Sequence, residues 1–141
     1  MTPYRHKVQY YETDRMGVTH HSNYIRWMEE ARVDLLEQIG WGYDRMESLG
    51  IQSPVTGVEC VYKAPTTFGD TVEIRAGIRE YRGVHLVMEY EMRRLGDGRV
   101  VLEGTSRHCF LDREGRFLRL SRDFPELDRA LREASERKEE E

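Results

Sequence analysis

The chain has 141 residues, with 26 acidic and 22 basic side chains and a formal net charge of −4 at pH 7. This negative balance disfavours nucleic acid as a partner. No stretch of about 18 apolar residues occurs, so we predict no membrane span. The N-terminus lacks the apolar region of a secretory signal, and the two cysteines, Cys60 and Cys109, form no CxxC pair. We therefore expect a cytoplasmic protein whose thiols are free.

The N-terminal part of the chain predicts a strand, a loop and a long helix. Residues Tyr4–Tyr11 alternate roughly as a strand does, and residues 12–21 have no periodicity, which is typical of a loop. Apolar side chains then recur at helical spacing over Tyr24–Ile39, with polar side chains such as Arg32 on the rest of the surface. Ser22 or Asn23 is suited to be the N-cap of this helix.

The remainder of the chain changes to a period of two. After a short helical turn, this pattern predicts strands joined by tight turns, at residues 58–63, 72–79, 86–92, 100–111 and 117–118. A terminal helix and charged tail are predicted from about residue 122 to residue 141. Short turns require antiparallel pairing, so residues 1–141 are predicted to form one α+β domain whose uncovered sheet edge favours a dimer or tetramer.

The loop before the long helix is the stretch that carries chemistry. Asp14, His20 and His21 lie close together in sequence, immediately before a helix N-terminus whose free N–H groups favour negative charge. Such a terminus can polarise a carbonyl oxygen, and a nearby carboxylate can act as base or nucleophile. Gly17 permits a positive φ, which allows the loop to fold back over the terminus.

Other interpretations of this loop are weaker. An Asp followed by a Gly is commonly a turn, and only its neighbours make Asp14 chemically interesting. We expect no metal site, because adjacent histidines do not have the usual ligand spacing. A triad of Ser22, a histidine and Asp14 is disfavoured, because the chain has no GxSxG elbow.

The same loop resembles the signature of the 4-hydroxybenzoyl-CoA thioesterases and the Tol–Pal-associated acyl-CoA thioesterases. The resemblance rests on Asp14-x-x-Gly17-Val18, on Asn23-Tyr24-x-Arg26-Trp27-Met28 and on the later segments Tyr62–Pro65 and Phe68–Val72. It covers roughly residues 4–120 and implies a hotdog fold, in which an antiparallel sheet wraps around one long central helix. It also implies active sites built between two chains.

The resemblance implies a role for each matching residue. Asp14 is expected to be the catalytic carboxylate, and the backbone N–H at His21 is expected to polarise the thioester carbonyl. The substrate is an acyl-CoA or acyl-carrier-protein thioester, so that coenzyme A is part of the substrate and no separate cofactor is expected. His20 departs from the family pattern, in which Tyr or Trp is commoner. The residues expected to bind substrate are Gly17, Val18, Asn23, Tyr24 and Lys63.

Two further cations, Arg82 and Arg107, are candidates with Lys63 for the coenzyme A diphosphate, because they fall on or beside predicted strands. Two other functions remain open. A hotdog hydratase or dehydratase would pair His21 with Asp14, and a non-catalytic acyl-thioester binding protein would use Asp14 only to cap its loop.

Overall fold

In the computed structural model, which describes residues 1–137, five strands form one antiparallel sheet in the order β1-β3-β4-β5-β2. Short turns join the consecutive strands β3, β4 and β5, whereas β1 pairs with β3 and β2 pairs with β5 through longer connections. The strands are β1 (Tyr4–Lys7), β2 (Val55–Tyr62), β3 (Thr71–Tyr81), β4 (His85–Arg94) and β5 (Val100–Cys109); the helices are α1 (Ser22–Gln38), α2 (Tyr43–Ser48), α3 (Leu120–Asp123) and α4 (Pro125–Arg137).

Helix α1 packs against one face of the sheet, as the apolar stripe predicts. Trp27, Met28 and Ala31 are each at most 1% exposed, and they share one buried core with apolar side chains of β3 and β4. One polar residue breaks the pattern: Arg32 is buried, and its guanidinium donates to the hydroxyls of Tyr43 and Tyr90. The expectation that Arg32 faces solvent is therefore wrong, because these two hydroxyls satisfy its donors inside the core.

The first strand is shorter than its alternation predicts. It ends at Lys7, and residues Tyr10–Glu12 form a 3-10 turn instead of continuing the strand. The side chain of Glu12 accepts the backbone N–H of Gln9 at 2.8 Å, which closes the turn. A strand-like sequence is thus redirected by one buried carboxylate.

The C-terminal part also differs in detail from the sequence prediction. Phe117 forms a single bridge to Leu111 rather than a strand. The terminal helix is divided into α3 and α4, since Pro125 begins a new helix and has no N–H to continue the previous one. Helix α4 packs on β3 through its apolar face, and the predicted charged tail beyond Arg137 lies outside the described residues.

The outer strand β2 is largely exposed, although its Cys60 packs against Met28 of α1. Val55, Val58, Val61 and Tyr62 are 42–53% exposed, an unusual level for a strand of such apolar composition. An exposed apolar edge strand offers unpaired backbone groups to another chain. The sheet edge predicted from the sequence therefore lies at β2.

Candidate active site

A small closed loop precedes α1 and holds Asp14. Thr13 and Thr19 pair across it, and the N–H of Asp14 donates to the carbonyl of Val18 at 2.8 Å. At its base, the N–H of His20 donates to the carbonyl of Glu12 at 2.8 Å. The two ends of the loop, at Glu12 and His20, therefore meet directly before the first turn of α1.

Asp14 opens a tight turn that recurs elsewhere in the chain. Its Oδ1 accepts the N–H of Met16 at 2.8 Å, and its carbonyl accepts the N–H of Gly17 at 3.0 Å. Asp112 makes the same two contacts, with Glu114 and Gly115, both at 3.0 Å. These two Asp-Arg-x-Gly turns allow a direct comparison of a candidate catalytic aspartate with a turn aspartate.

The second carboxylate oxygen distinguishes the two turns. Both oxygens of Asp112 are used, because Arg116 donates its N–H to Oδ1 and its Nε to Oδ2 at 3.1 Å. In Asp14 only Oδ1 accepts a hydrogen bond from the described residues, and the half-buried side chain forms no ion pair with them. The turn therefore accounts for half of the Asp14 carboxylate and leaves Oδ2 available for a ligand.

The N-terminus of α1 is capped one residue earlier than predicted. The helix begins at Ser22, so neither Ser22 nor Asn23 is the N-cap. The imidazole of His20 performs the capping: its Nδ1 accepts the Ser22 N–H at 3.2 Å, and its carbonyl accepts the Asn23 N–H at 3.0 Å. An Nδ1 lone pair replaces the usual hydroxyl or carboxylate oxygen, a substitution that cap statistics do not anticipate.

His21 lies between this cap and the helix. Its ring stacks on His20 with centroids 4.3 Å apart, and its carbonyl accepts the Tyr62 hydroxyl at 3.2 Å. Its own backbone N–H has no acceptor among residues 1–137. Since His20 accepts the Ser22 and Asn23 N–H groups, the His21 N–H is a donor at this terminus that is available to a ligand.

The other predicted site residues take different positions. Gly17 has φ +80°, the left-handed conformation that its role in the loop requires, and Val18 pairs with Thr67. Tyr24 is buried, and its hydroxyl lies 2.9 Å from Thr66 Oγ1. Asn23 is also buried, with its amide donating to the Glu12 carbonyl, so it holds the loop in place.

The three predicted cations do not converge. Lys63 follows β2 and pairs with Glu103 at 3.4 Å on the surface. Arg82 pairs with Glu80 and follows β3, whose 11 residues separate it from the loop by roughly 35 Å. Arg107 lies toward the far end of β5. Of the three, only Lys63 lies on the segment that leads from the site.

A carboxylate that the sequence did not single out stands beneath the loop. Glu12 is 4% exposed and accepts the Trp27 indole N–H at 2.7 Å and the Gln9 N–H at 2.8 Å, and its Oε1 lies 2.8 Å from His6 Nε2. Burial acts to raise the pKa of Glu12, but the hydrogen bonds from Gln9, His6 and Trp27 outweigh it and lower that pKa overall. A charged residue just after two tyrosines gives no sequence signal of such burial.

A cavity of about 560 Å³ lies on the sheet and is lined mainly by charged and small side chains of β2–β5; none of the predicted site residues lines it. Within residues 1–137, no group of three His, Cys, Asp or Glu side chains is arranged to hold a metal ion. The loop and the start of α1 therefore remain the arrangement suited to chemistry.

A curved antiparallel sheet packed on one long helix, with a carboxylate loop at the start of that helix, defines a hotdog thioesterase architecture. The chain belongs to the thioesterase-like superfamily, whose family model matches residues 8–135. The predicted resemblance, the hotdog fold and the enzyme class, thioester hydrolase, are confirmed.

Individual relatives cover almost the whole chain. A putative acyl-CoA thioesterase, YneP, of Bacillus subtilis is 33% identical over 129 residues, which are 91% of this chain and 93% of the relative. A DHNA-CoA thioesterase structure from Staphylococcus aureus has a TM-score of 0.92 at 29% identity and covers 99% of this chain and 93% of its own. The hypothetical protein TT1821 of Thermus thermophilus has a TM-score of 0.87 at 37% identity, with 95% and 99% covered.

None of the helices within residues 1–137 is long and apolar enough to cross a bilayer.

Proposed function

We propose that the protein hydrolyses acyl-CoA thioesters, with Asp14 as the catalytic carboxylate. The observation that carries the proposal is the free Oδ2 of Asp14 in a loop whose base is joined to the N-terminus of α1. The matched turn at Asp112 has no such free oxygen. We infer an acyl-CoA substrate because the relatives described above include a putative acyl-CoA thioesterase and a DHNA-CoA thioesterase. A carboxylate beside a helix N-terminus is suited to hydrolysis of such a thioester.

The reaction cleaves the bond between the thioester carbonyl carbon and sulfur. In one route, Asp14 attacks that carbon, coenzyme A leaves as a thiolate that takes up a proton, and water then hydrolyses the mixed anhydride. In the other route, Asp14 takes a proton from a water molecule that attacks the carbon directly. Both routes give a free acid and a free thiol, and both need an unpaired carboxylate oxygen.

The carbonyl oxygen becomes negatively charged in either route. We assign its stabilisation to the His21 backbone N–H, because the two N–H groups that follow it are already bonded to His20. The positive end of α1 adds to the effect. Loss of one oxyanion donor typically slows an enzyme by about 100- to 1000-fold.

Replacement of Asp14 by asparagine tests the assignment. Asn retains an oxygen that can accept the Met16 N–H, so the turn and fold should survive while turnover falls by at least about 100-fold. Asp112→Asn is the matched control, since it alters the same kind of turn away from the loop. Acyl-CoA turnover is followed with a thiol reagent, and near-wild-type activity in Asp14→Asn would remove Asp14 from the mechanism.

The same assay separates the remaining functions. Thiol release identifies a thioesterase. A change in enoyl absorbance without thiol release would instead identify a hydratase or dehydratase. If no substrate reacts but acyl-CoA binds, the protein is a binding protein and Asp14 serves the loop alone.

We further propose that the protein self-associates through β2 and acts in the cytoplasm. The exposed valines of β2 and its unpaired edge fit addition of a second copy's strand, which would place pantetheine along the boundary between two chains. The free thiols Cys60 and Cys109 suit a reducing compartment. Coenzyme A enters as part of the substrate, and an acyl-carrier-protein thioester presents the same reacting group.

A further inference from the structure

Glu12 is fixed from three directions through its side chain. Its Oε1 accepts the backbone N–H of Gln9 and lies 2.8 Å from Nε2 of His6 on β1, and its Oε2 accepts the indole N–H of Trp27 on α1 at 2.7 Å. The side chain is almost fully buried, so water does not compete for these contacts. One carboxylate thereby joins the first strand, the 3-10 turn and the long helix.

The backbone of the same residue holds both ends of the loop. The Glu12 carbonyl accepts the N–H of His20 at 2.8 Å and the side-chain amide of Asn23 at 2.9 Å. His20 in turn caps α1 through Nδ1. Asp14 begins its turn two residues after Glu12, so the position of Glu12 fixes where the loop starts and where it rejoins the helix.

The opposite side of His6 is also secured. Its Nδ1 lies 3.3 Å from Oε1 of Glu30 on α1, and that oxygen also accepts the Tyr4 hydroxyl at 2.8 Å. The His6 ring lies against the Trp27 indole, with centroids 4.5 Å apart. The His6 ring that contacts Glu12 is therefore itself held in place, and this limits the positions available to the Glu12 carboxylate.

We infer that Glu12 is a positioning residue for the reaction proposed above, acting through the placement of Asp14 and the His21 N–H rather than by contact with substrate. The inference rests on the proposed function. Exchange of the carboxylate for an amide tests it, because Gln keeps the size of the side chain but carries an NH2 group where one oxygen stood. In one orientation that NH2 meets the indole N–H of Trp27 and in the other it meets the backbone N–H of Gln9, so a donor faces a donor in both.

The test compares Glu12→Gln with wild type and with Asp128→Asn. Asp128 on α4 is a matched control, because its carboxylate also accepts hydrogen bonds from two side chains, a tyrosine hydroxyl and an arginine guanidinium. It lies at the far end of the sheet from the Asp14 loop. Glu12→Gln should lower kcat by about 10- to 100-fold, the scale of a misplaced catalytic group, with KM changed by less than about threefold. Asp128→Asn should leave kcat unchanged while shifting the unfolding midpoint.

A double-variant cycle shows whether Glu12 acts through Asp14. If it does, Glu12→Gln in an Asp14→Asn background should cause no further loss of kcat. Amide hydrogen exchange gives a readout independent of turnover: the His20 N–H should exchange faster in Glu12→Gln and remain protected in Asp128→Asn.

The outcomes that oppose the inference are separate from those that oppose the proposed function. A wild-type protein that releases no thiol refutes the hydrolase and with it the positioning role. An active wild type whose Glu12→Gln variant keeps kcat, keeps the His20 amide protected or adds its loss to that of Asp14→Asn refutes the positioning role alone.

Discussion

His108 should make the stability of this protein depend on pH between about pH 6.5 and pH 4. The residue lies on β5 with no exposed surface, and its Nε2 is 2.8 Å from the Ser106 hydroxyl, while its Nδ1 has no hydrogen-bond partner among residues 1–137. Burial, together with the positive charge of Arg32 and the nearby His85, lowers the pKa of His108 from 6.5 to about 4. The folded protein thus keeps this imidazole neutral where the unfolded chain protonates it.

The direction and size of the effect follow from that difference. Above pH 6.5 both states hold a neutral imidazole, and the contribution to folding is fully present. Between pH 6.5 and about pH 4 the His108 imidazole is protonated in the unfolded state but remains neutral in the folded state, so the free energy of unfolding falls over this range. A lowering of about 2.5 pH units corresponds to roughly 3 kcal/mol, a large share of the 5–15 kcal/mol typical of a domain.

Urea unfolding at several pH values, monitored by tryptophan fluorescence, measures this contribution in wild type and in His108→Gln. Glutamine retains a polar group near Ser106 and cannot titrate, so the variant should lose about 3 kcal/mol less stability than wild type between pH 7 and pH 4. His85→Gln removes the weakest of the three causes that lower the pKa of His108, so the pH dependence of this variant should stay close to that of wild type. Equal pH dependence of wild type and His108→Gln would refute the reasoning.

Two shorter predictions concern the loop and the edge strand. Gly17→Ala should cost about 1–2 kcal/mol from its positive φ alone, since nothing lies within 4 Å of the added Cβ, and should also lower turnover. Gly115→Ala, at φ +81° in the matched turn, should cost similar stability but leave turnover intact; equal losses of activity would contradict a local effect. Val61→Lys should convert a β2-paired dimer to monomers in light scattering, because a charge would replace an exposed apolar side chain of the pairing strand, whereas Val84→Lys, outside β2, should not. A wild type that is already monomeric would contradict pairing through β2.

Patterns along the chain were sufficient for the architecture. The helical spacing over Tyr24–Ile39 defined α1, and the alternation after residue 58 defined four of the five strands. These predictions succeed because burial of one face imposes its period on the sequence. The position of the Asp14 loop before a helix was equally visible, as was the capacity of Gly17 for the positive φ that it adopts.

Contacts between distant residues decided the rest. The sequence placed a cap at Ser22 or Asn23, but the His20 imidazole folds back to cap the helix. It extended β1 to Tyr11, whereas a buried Glu12 bonded to Trp27 ends the strand early. It assigned Arg32 to solvent, and hydroxyls 11 and 58 residues away hold it in the core. Polar burial depends on partners that no local period encodes.

The sequence by itself determined that an α+β chain would carry a carboxylate immediately before the N-terminus of its long helix. Tertiary structure decided which atoms of that arrangement are free. Asp14 and Asp112 begin similar turns in similar sequence. Within residues 1–137, the Arg116 guanidinium occupies the second oxygen of Asp112, whereas the second oxygen of Asp14 accepts no hydrogen bond. A carboxylate oxygen is available for chemistry when no neighbouring group donates a hydrogen bond to it. The fold decides which groups become its neighbours.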